Sequence, residues 1–370
     1  MTAKSKILSR NQKMWFVSNW CFLGILVATG LSVWILQIIQ GMEVTSLNQQ
    51  VVWGMYIAGF FTAAGLGAGL LTIIGLSEFT DLIPRPMRKK ALSIALACFC
   101  SSGILITMDI GNIPQVWRLA TAFQTSAPMT WDFWALLLAG GVAFFYLYLS
   151  HSEKSSPKLL KIMGLISIFS AIVLIAVEGI MLATTDARSF WMGGTTIFQF
   201  ILSGLIMGLS FSLFLLEENT VKKVKPWLVA GLITSLVLIT LEIISGLLLN
   251  SPEVFHHSQM LLFGQSSPFL WTYIILGLVL PILMFLRGSV KYYSIAGLIC
   301  LGILAEKLSI LITGQVHPLL PLSTETYFPN WVEFVATLGA AAFGFLSYKI
   351  ILLVFPLVKL KSIKTYQRNS

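Results

Sequence analysis

Charge is scarce in this chain. Asp, Glu, Lys and Arg make up 11% of its 370 residues while hydrophobic residues make up 56%, and an ordinary soluble domain carries about 25% charged residues. A water-soluble globule is thereby excluded. Histidine is rarer still, with four in all: His151 falls in an inner connection and His256, His257 and His317 in outer ones. A di-haem cytochrome b needs imidazole ligands inside its spans, so that class is disfavoured. The adjacent His256 and His257 are expected in a solvated loop, with metal ligation or proton shuttling as the alternative. Cys21, Cys98, Cys100 and Cys300 all lie in apolar stretches without iron–sulfur or zinc spacing, so no metal site is expected. A phosphate-cradling Gly-rich loop, a nucleophile elbow and an HExxH helix are also missing, which argues against an ATP-driven pump.

Long hydrophobic runs are what the chain has instead. Ten segments reach or approach the roughly 20 apolar residues that cross hydrocarbon: 15–39, 51–76, 91–108, 132–150, 159–183, 194–216, 226–249, 269–286, 293–313 and 332–356. They consume most of residues 1–370, which read as a single all-α integral membrane domain. The first segment lacks a small-residue cleavage site and is expected to be a retained helix rather than a signal peptide.

The net charge of +9 is one-sided. With the N-terminus in the cytoplasm, all but three of the 24 Lys and Arg fall in inner connections or termini, the exceptions being Arg118, Arg188 and Lys307. Positive charge inside sets orientation, so ten helices with both termini cytoplasmic are expected. The same short juxtamembrane clusters give no reason to expect nucleic-acid binding.

Ionisable groups inside hydrocarbon cost about 2.5–3.5 kcal/mol on insertion scales. Here they share a depth. Glu178, Glu242, Glu306 and Lys307 fall in the outer third of helices 5, 7 and 9, while Asp109, Asp132 and Glu333 mark outer helix ends. The inner half offers little beyond Asn19 and the interfacial Lys349. Taken singly, such groups snorkel or cap, and an acid such as Asp132 in a first turn would be favoured by the helix dipole. Together they predict a polar pocket beneath the outer surface, with carboxylates that exchange protons.

The chain also repeats itself. Gly65 and Gly69 in helix 2 have counterparts in Gly204 and Gly208 of helix 6, a small-xxx-small spacing that admits close backbones. Ser126-Ala127-Pro128-Met129-Thr130-Trp131 before helix 4 is echoed by Ser266-Ser267-Pro268-Phe269-Leu270-Trp271 before helix 8. Two parallel four-helix bundles are expected, helices 2–5 (51–183) and helices 6–9 (194–313), with 15–39 and 332–356 flanking them. Asp132 follows Trp131 in the first copy and Thr272 follows Trp271 in the second, which places the chemistry in the first bundle.

The run Met108-Asp109-Ile110-Gly111-Asn112-Ile113-Pro114-Gln115-Val116-Trp117-Arg118, the Ser126–Asp132 entrance and the glycines of helix 2 resemble the NrfD/PsrC family of polysulfide-reductase-type membrane subunits. The closing Tyr327-Phe328-Pro329-Asn330-Trp331-Val332-Glu333 resembles its ten-helix branch. Asn112 departs from that pattern, standing where an Arg-like residue is frequent. The resemblance implies a haem-free subunit of the bacterial or archaeal cytoplasmic membrane that handles a quinone, menaquinone or ubiquinone. Its implied partners, on the outer side, are a ferredoxin-like iron–sulfur subunit and a molybdopterin-type or other catalytic subunit.

A quinol site needs an apolar tunnel and a proton acceptor near water. Asp132, with Asp109 near it, is the expected acceptor. Trp131, Trp117 and Trp134 are candidate walls, although interfacial Trp is common; Arg118 and His317 are candidate rim groups; Gly65 and Gly69 join the cofactor-binding candidates. Glu178, Glu242, Glu306 and Lys307 form the candidate proton path. The competing class is a secondary transporter or ion-translocating subunit without quinone chemistry, but transporter sites usually lie near the midplane between inverted repeats, and here the polar groups are shallow and the repeats parallel.

Overall fold

The computed structural model describes residues 3–111, 117–121, 127–152, 155–185, 189–191, 194–216, 218–248, 252–287, 291–316 and 326–357. Among them, ten helices are long and apolar enough to cross a membrane. They are α1 (Ala3–Gln40), α2 (Met55–Thr80), α3 (Arg85–Ile110), α4 (Pro128–His151), α5 (Pro157–Ala183), α6 (Gly194–Ser212), α7 (Glu218–Leu248), α8 (Ser267–Arg287), α9 (Tyr292–Val316) and α10 (Trp331–Val354). Each matches an expected segment. The main differences are at inner ends: α1 begins before 15, and α7 begins at Glu218 because Pro226 is accommodated inside the helix.

Local chemistry explains several boundaries. Proline stands in the first turn of α3, α4, α5 and α8, where its fixed φ suits the helix and its missing N–H costs nothing. Ser156 caps α5 by accepting from the Leu159 amide at 3.2 Å. Gly111 ends α3 in the left-handed region, φ 66°, a conformation that favours glycine.

Helix α2 is the axis of the fold, with 94% of its most apolar stretch buried. Its glycines open separate faces to separate neighbours. Gly67 lies against Phe99 and the Ala95 carbonyl of α3, Gly69 against Gly204 and Gly208 of α6, and Gly75 against Gly164 and Ser167 of α5. In the first half α2 packs on α3 and α5, and α4 packs on those same two helices. In the second half α6 packs on α7 and α9, and α8 does likewise. The pairing pattern is thus repeated, and α2 joins the halves by touching both α6 and α9. Helices α1 and α10 pair with each other, Gly30 meeting Gly339 backbone to backbone, and α10 leans on α3 through a 2.9 Å bond from Ser101 Oγ to the Ala340 carbonyl.

Two features depart from the sequence reading. Residues Tyr273–Val279 of α8 are wound as a π-helix, a rare form that recurs at functional sites. The inner half is also less bare than expected. Arg88, 4% exposed, places Nη1 2.8 Å from Glu78 Oε2, donates to the Ser77 and Ile83 carbonyls and reaches Asp81. Tyr146 of α4 donates to Glu78 Oε1 at 2.7 Å. Arg88 serves as a structural staple as well as an inner-side charge.

Two outcomes follow for thermal unfolding of the purified protein in detergent. A methyl at Gly69 would run into the Gly204 carbonyl and lie 2.9 Å from the Gly208 amide nitrogen, so Gly69→Ala should cost ~1–3 kcal/mol through overpacking; Gly103, with nothing within 4 Å of its added Cβ, should be neutral or slightly stabilised by alanine. Arg88→Met should destabilise by about 3–5 kcal/mol because it leaves Glu78 buried and unpaired, and Glu78→Gln added to it should recover part of that loss.

Candidate functional site

Asp132 does not sit in the first turn of its helix. With α4 starting at Pro128, it lies about 6 Å along the axis, 3% exposed, so the dipole explanation for it weakens. Its Oδ1 is buried without a hydrogen-bond partner, a costly arrangement unless something else meets it. Trp131 and Trp134 flank it and remain 48% and 40% exposed.

From Asp132 a line of ionisable groups runs across the fold at one depth. Glu178 of α5 is 1% exposed, and both of its carboxylate oxygens lack hydrogen-bond partners. It lies close enough to interact electrostatically with Asp132 on one side and with Lys307 of α9 on the other. Lys307 is itself 1% exposed. Its ammonium donates to Ser203 Oγ at 2.9 Å, stands 3.3 Å from Glu306 Oε2 and sits over the Phe200 ring, 3.5 Å from the centroid. The line therefore passes from the first half into the second.

Beyond Glu306 it opens into a cavity between α6, α7, α8, α9 and the short helix Pro252–Phe263. Glu242, Glu306, His257, Gln199, Tyr273, Ser309 and Thr313 contribute its polar lining, with Trp191 and Phe190 beside them. Gln199 donates to Glu242 Oε2 at 3.0 Å. His257 Nε2 is 3.6 Å from Glu242 Oε1, and the His257 ring stacks on Phe190 at 4.5 Å. With only 13% of its side chain exposed, His257 is not the solvated loop residue that was expected. Tyr273, the first residue of the π-helical stretch, faces the same cavity.

Asp109 belongs to another cluster. The charge it feels is that of Glu333, and Tyr56 and Tyr327 lie within reach of both. Glu333 is fully engaged: with Asn330 it forms a reciprocal capping box at the start of α10, and Tyr327 donates to its Oε1 at 2.9 Å. Burial, reinforced by the Glu333 charge, holds the Tyr327 phenol above its usual range, so it stays a donor. The phenol oxygen also accepts from the Met55 amide at 2.8 Å, tying α10 to α2. Asp109 thus groups with Glu333, Tyr56 and Tyr327, while Asp132 groups with Glu178.

Among the other candidates, Gly65 and Gly69 face α6, with Met207 nearest Gly65. Both lie in the contact between α2 and α6, where they serve helix packing. Trp117 and Arg118 are exposed in the short helix Trp117–Thr121. His317 lies outside the described residues, as do 112–116 and 122–126 of the shared motif. Missed by sequence reading were Gln199, Tyr273 and Glu78, while His257 was expected in a loop and Arg88 counted only as an inner-side charge. The position of Glu242 along α7 carries no hint of Gln199 or His257, because those contacts cross between elements.

Residues 43–318 match the family model described as polysulphide reductase, NrfD. The chain is 26% identical to a Halobacterium salinarum protein named as a membrane subunit of dimethyl sulfoxide reductase, over 52% of its own length and 49% of that protein, about half of the relative. It is 21% identical to a selenate reductase subunit of Mesobacillus selenatarsenatis, over 86% of the chain and 88% of the relative. To the menaquinone reductase integral membrane subunit of Nitratidesulfovibrio vulgaris it is 22% identical, over 82% and 83%. Ten membrane-crossing helices and a family match over most of its length show that this chain is a multi-pass integral membrane protein belonging to the NrfD polysulphide reductase family.

Proposed function

We propose that this chain is the quinone-handling membrane subunit of a multi-subunit respiratory oxidoreductase, exchanging electrons with an iron–sulfur subunit docked on the outer face and protons with the outer aqueous phase. Asp132 carries the reading. A buried carboxylate with one bare oxygen, a short way below the outer surface and between two half-exposed Trp side chains, fits a ligand with a ring hydroxyl or carbonyl and an apolar body. The relative named as a menaquinone reductase subunit favours menaquinone over ubiquinone.

A bound quinol supplies two electrons and two protons. Asp132 is positioned to receive a proton at its unpartnered oxygen, and Trp131 and Trp134 would hold the ring and exclude water around it. Arg118 and Trp117, in the short helix just outside, would form the rim. Glu178 is the next carboxylate along the line and passes charge inward toward Lys307 and Glu306, or back to Asp132. Electrons leave for the partner subunit; a molybdopterin-type catalytic subunit lies beyond it in this scheme.

In the assembled complex, Asp132→Asn should lower quinol-dependent electron transfer by at least ~10²-fold, the scale of one lost acid–base group, while the make-up of the complex on gel filtration stays unchanged. Normal turnover in that variant would sink the assignment. The complex that co-purifies with this chain from native membranes should contain many iron atoms per chain by elemental analysis; a stable, metal-free preparation would instead point to transport, which counterflow uptake in vesicles would test.

A further inference from the structure

The second half lacks the Asp132 counterpart, yet it contains the polar cavity. Its free space open to the centre of a water molecule is about 30 Å³. One water needs roughly 10–15 Å³ on that scale, so two fit. Two buried polar atoms around it, Ser309 Oγ and His257 Nδ1, have no hydrogen-bond partner within the protein, and Glu306 Oε2 meets only the Lys307 ammonium at 3.3 Å, which suits a chamber for water and a mobile charge.

The charges in and beside this chamber do not balance. Among the described residues, four carboxyl groups, Asp132 of α4, Glu178 of α5, Glu242 of α7 and Glu306 of α9, face one fixed cation, Lys307. His257 enters from the short helix, Gln199 and Ser203 from α6, and Tyr273 from α8. Uncompensated carboxylates are not tolerated in a low-dielectric interior, so the difference must be made up by protons or by a bound monovalent cation. Lys307 stands at the centre of the imbalance. Its ammonium is beside Glu306, while Glu178, on its other side, has both oxygens bare.

We propose that Lys307 is a charge-coupling switch between the two halves, moving its ammonium between Glu306 and Glu178 and thereby binding or releasing one proton in the chamber of the second half. The proposal rests on the quinone reading of the first half. Lys307 beside Glu306 is the arrangement observed, and in this scheme it goes with a protonated Glu178. When Glu178 yields its proton toward Asp132 it becomes an anion and draws the ammonium over. Glu306, left without its countercharge, then takes one proton from the chamber water, replenished from outside through Glu242 and His257. Return of a proton to Glu178 brings Lys307 back, and the Glu306 proton leaves by the same route. Each half-cycle moves one proton into or out of the chamber and breaks no heavy-atom bond. The Ser203 hydroxyl, 2.9 Å from the ammonium, accepts from it on the Glu306 side.

The test uses the native complex and infrared difference spectra between its quinone-reduced and quinone-oxidised states, in H2O and in D2O. Besides the carboxyl signals of Asp132 and Glu178, the unaltered complex should show one further protonated-carboxyl band, that of Glu306, that shifts in D2O. That band should be lost in Glu306→Gln and in Lys307→Met, with the quinone ring bands retained. Glu178→Gln, which keeps side-chain volume and the neutral state, should lose it too, and serves if Lys307→Met does not assemble. A band unchanged in Glu306→Gln and Glu178→Gln overturns the switch and leaves the quinone reading standing. Absence of quinone bands from the unaltered complex overturns both. A chamber signal that follows sodium concentration at fixed pH, with no D2O shift, overturns the proton in favour of a sodium ion.

Discussion

The contact between α2 and α6 sets the positions of everything else. In lipid, helices gain little from hydrophobic burial against one another, so close approach depends on small residues and on dispersion between backbones. At Gly69, Gly204 and Gly208 the two backbones touch directly. That approach locks the two halves at one relative height, which is why carboxyl groups carried by α4 and α5 stand level with those carried by α7 and α9. A bulkier residue at the crossing would separate the halves along the seam where Lys307 bridges them.

Two of the charge clusters in the fold behave in opposite ways. On the inner side Arg88 is satisfied by a carboxylate and by backbone carbonyls, and Glu78 by Arg88 and Tyr146; every partner is present, and such a network resists change. On the outer side Asp132 and Glu178 keep bare oxygens and Lys307 is shared. Partly satisfied polar networks are poor at holding a fold together but are able to change state. The rigid staple and the adjustable line are built from the same residue types, and the difference between them is the number of hydrogen bonds completed.

Much of the architecture was legible in the sequence because its signals are one-dimensional. Apolar run length gave the ten helices, the repeated Ser-Pro-Trp entrances gave the kinship of α4 and α8, and the shared outer depth of Glu178, Glu242, Glu306 and Lys307 follows from counting residues. What escaped depends on which helices are neighbours. Glu333 was read as one more outer charge, yet its capping box and Tyr327 consume it. His257 was assigned to a loop because nothing along the chain shows that Phe190 and Glu242 would enclose it. The paired glycines were seen at their spacing, but that α2 and α6 would meet through those very faces is a property of the packed molecule. The π-helical turn in α8 carries no sequence mark beyond Gly277, which lies against Gly302.

The pairing of α1 with α10 bears on how the protein is made. Gly30 and Gly339 touch, so α1 completes its packing only when α10, about 300 residues later in the chain, has been made. At ~5–20 residues per second the interval is roughly 15–60 s. Through that time α1 must be retained by lipid or by the insertion machinery alone, and its high residual lipid exposure, with only 17% of its apolar stretch buried even at the end, suits it to wait. The contact between α1 and α10 then closes late, after both halves are already in place.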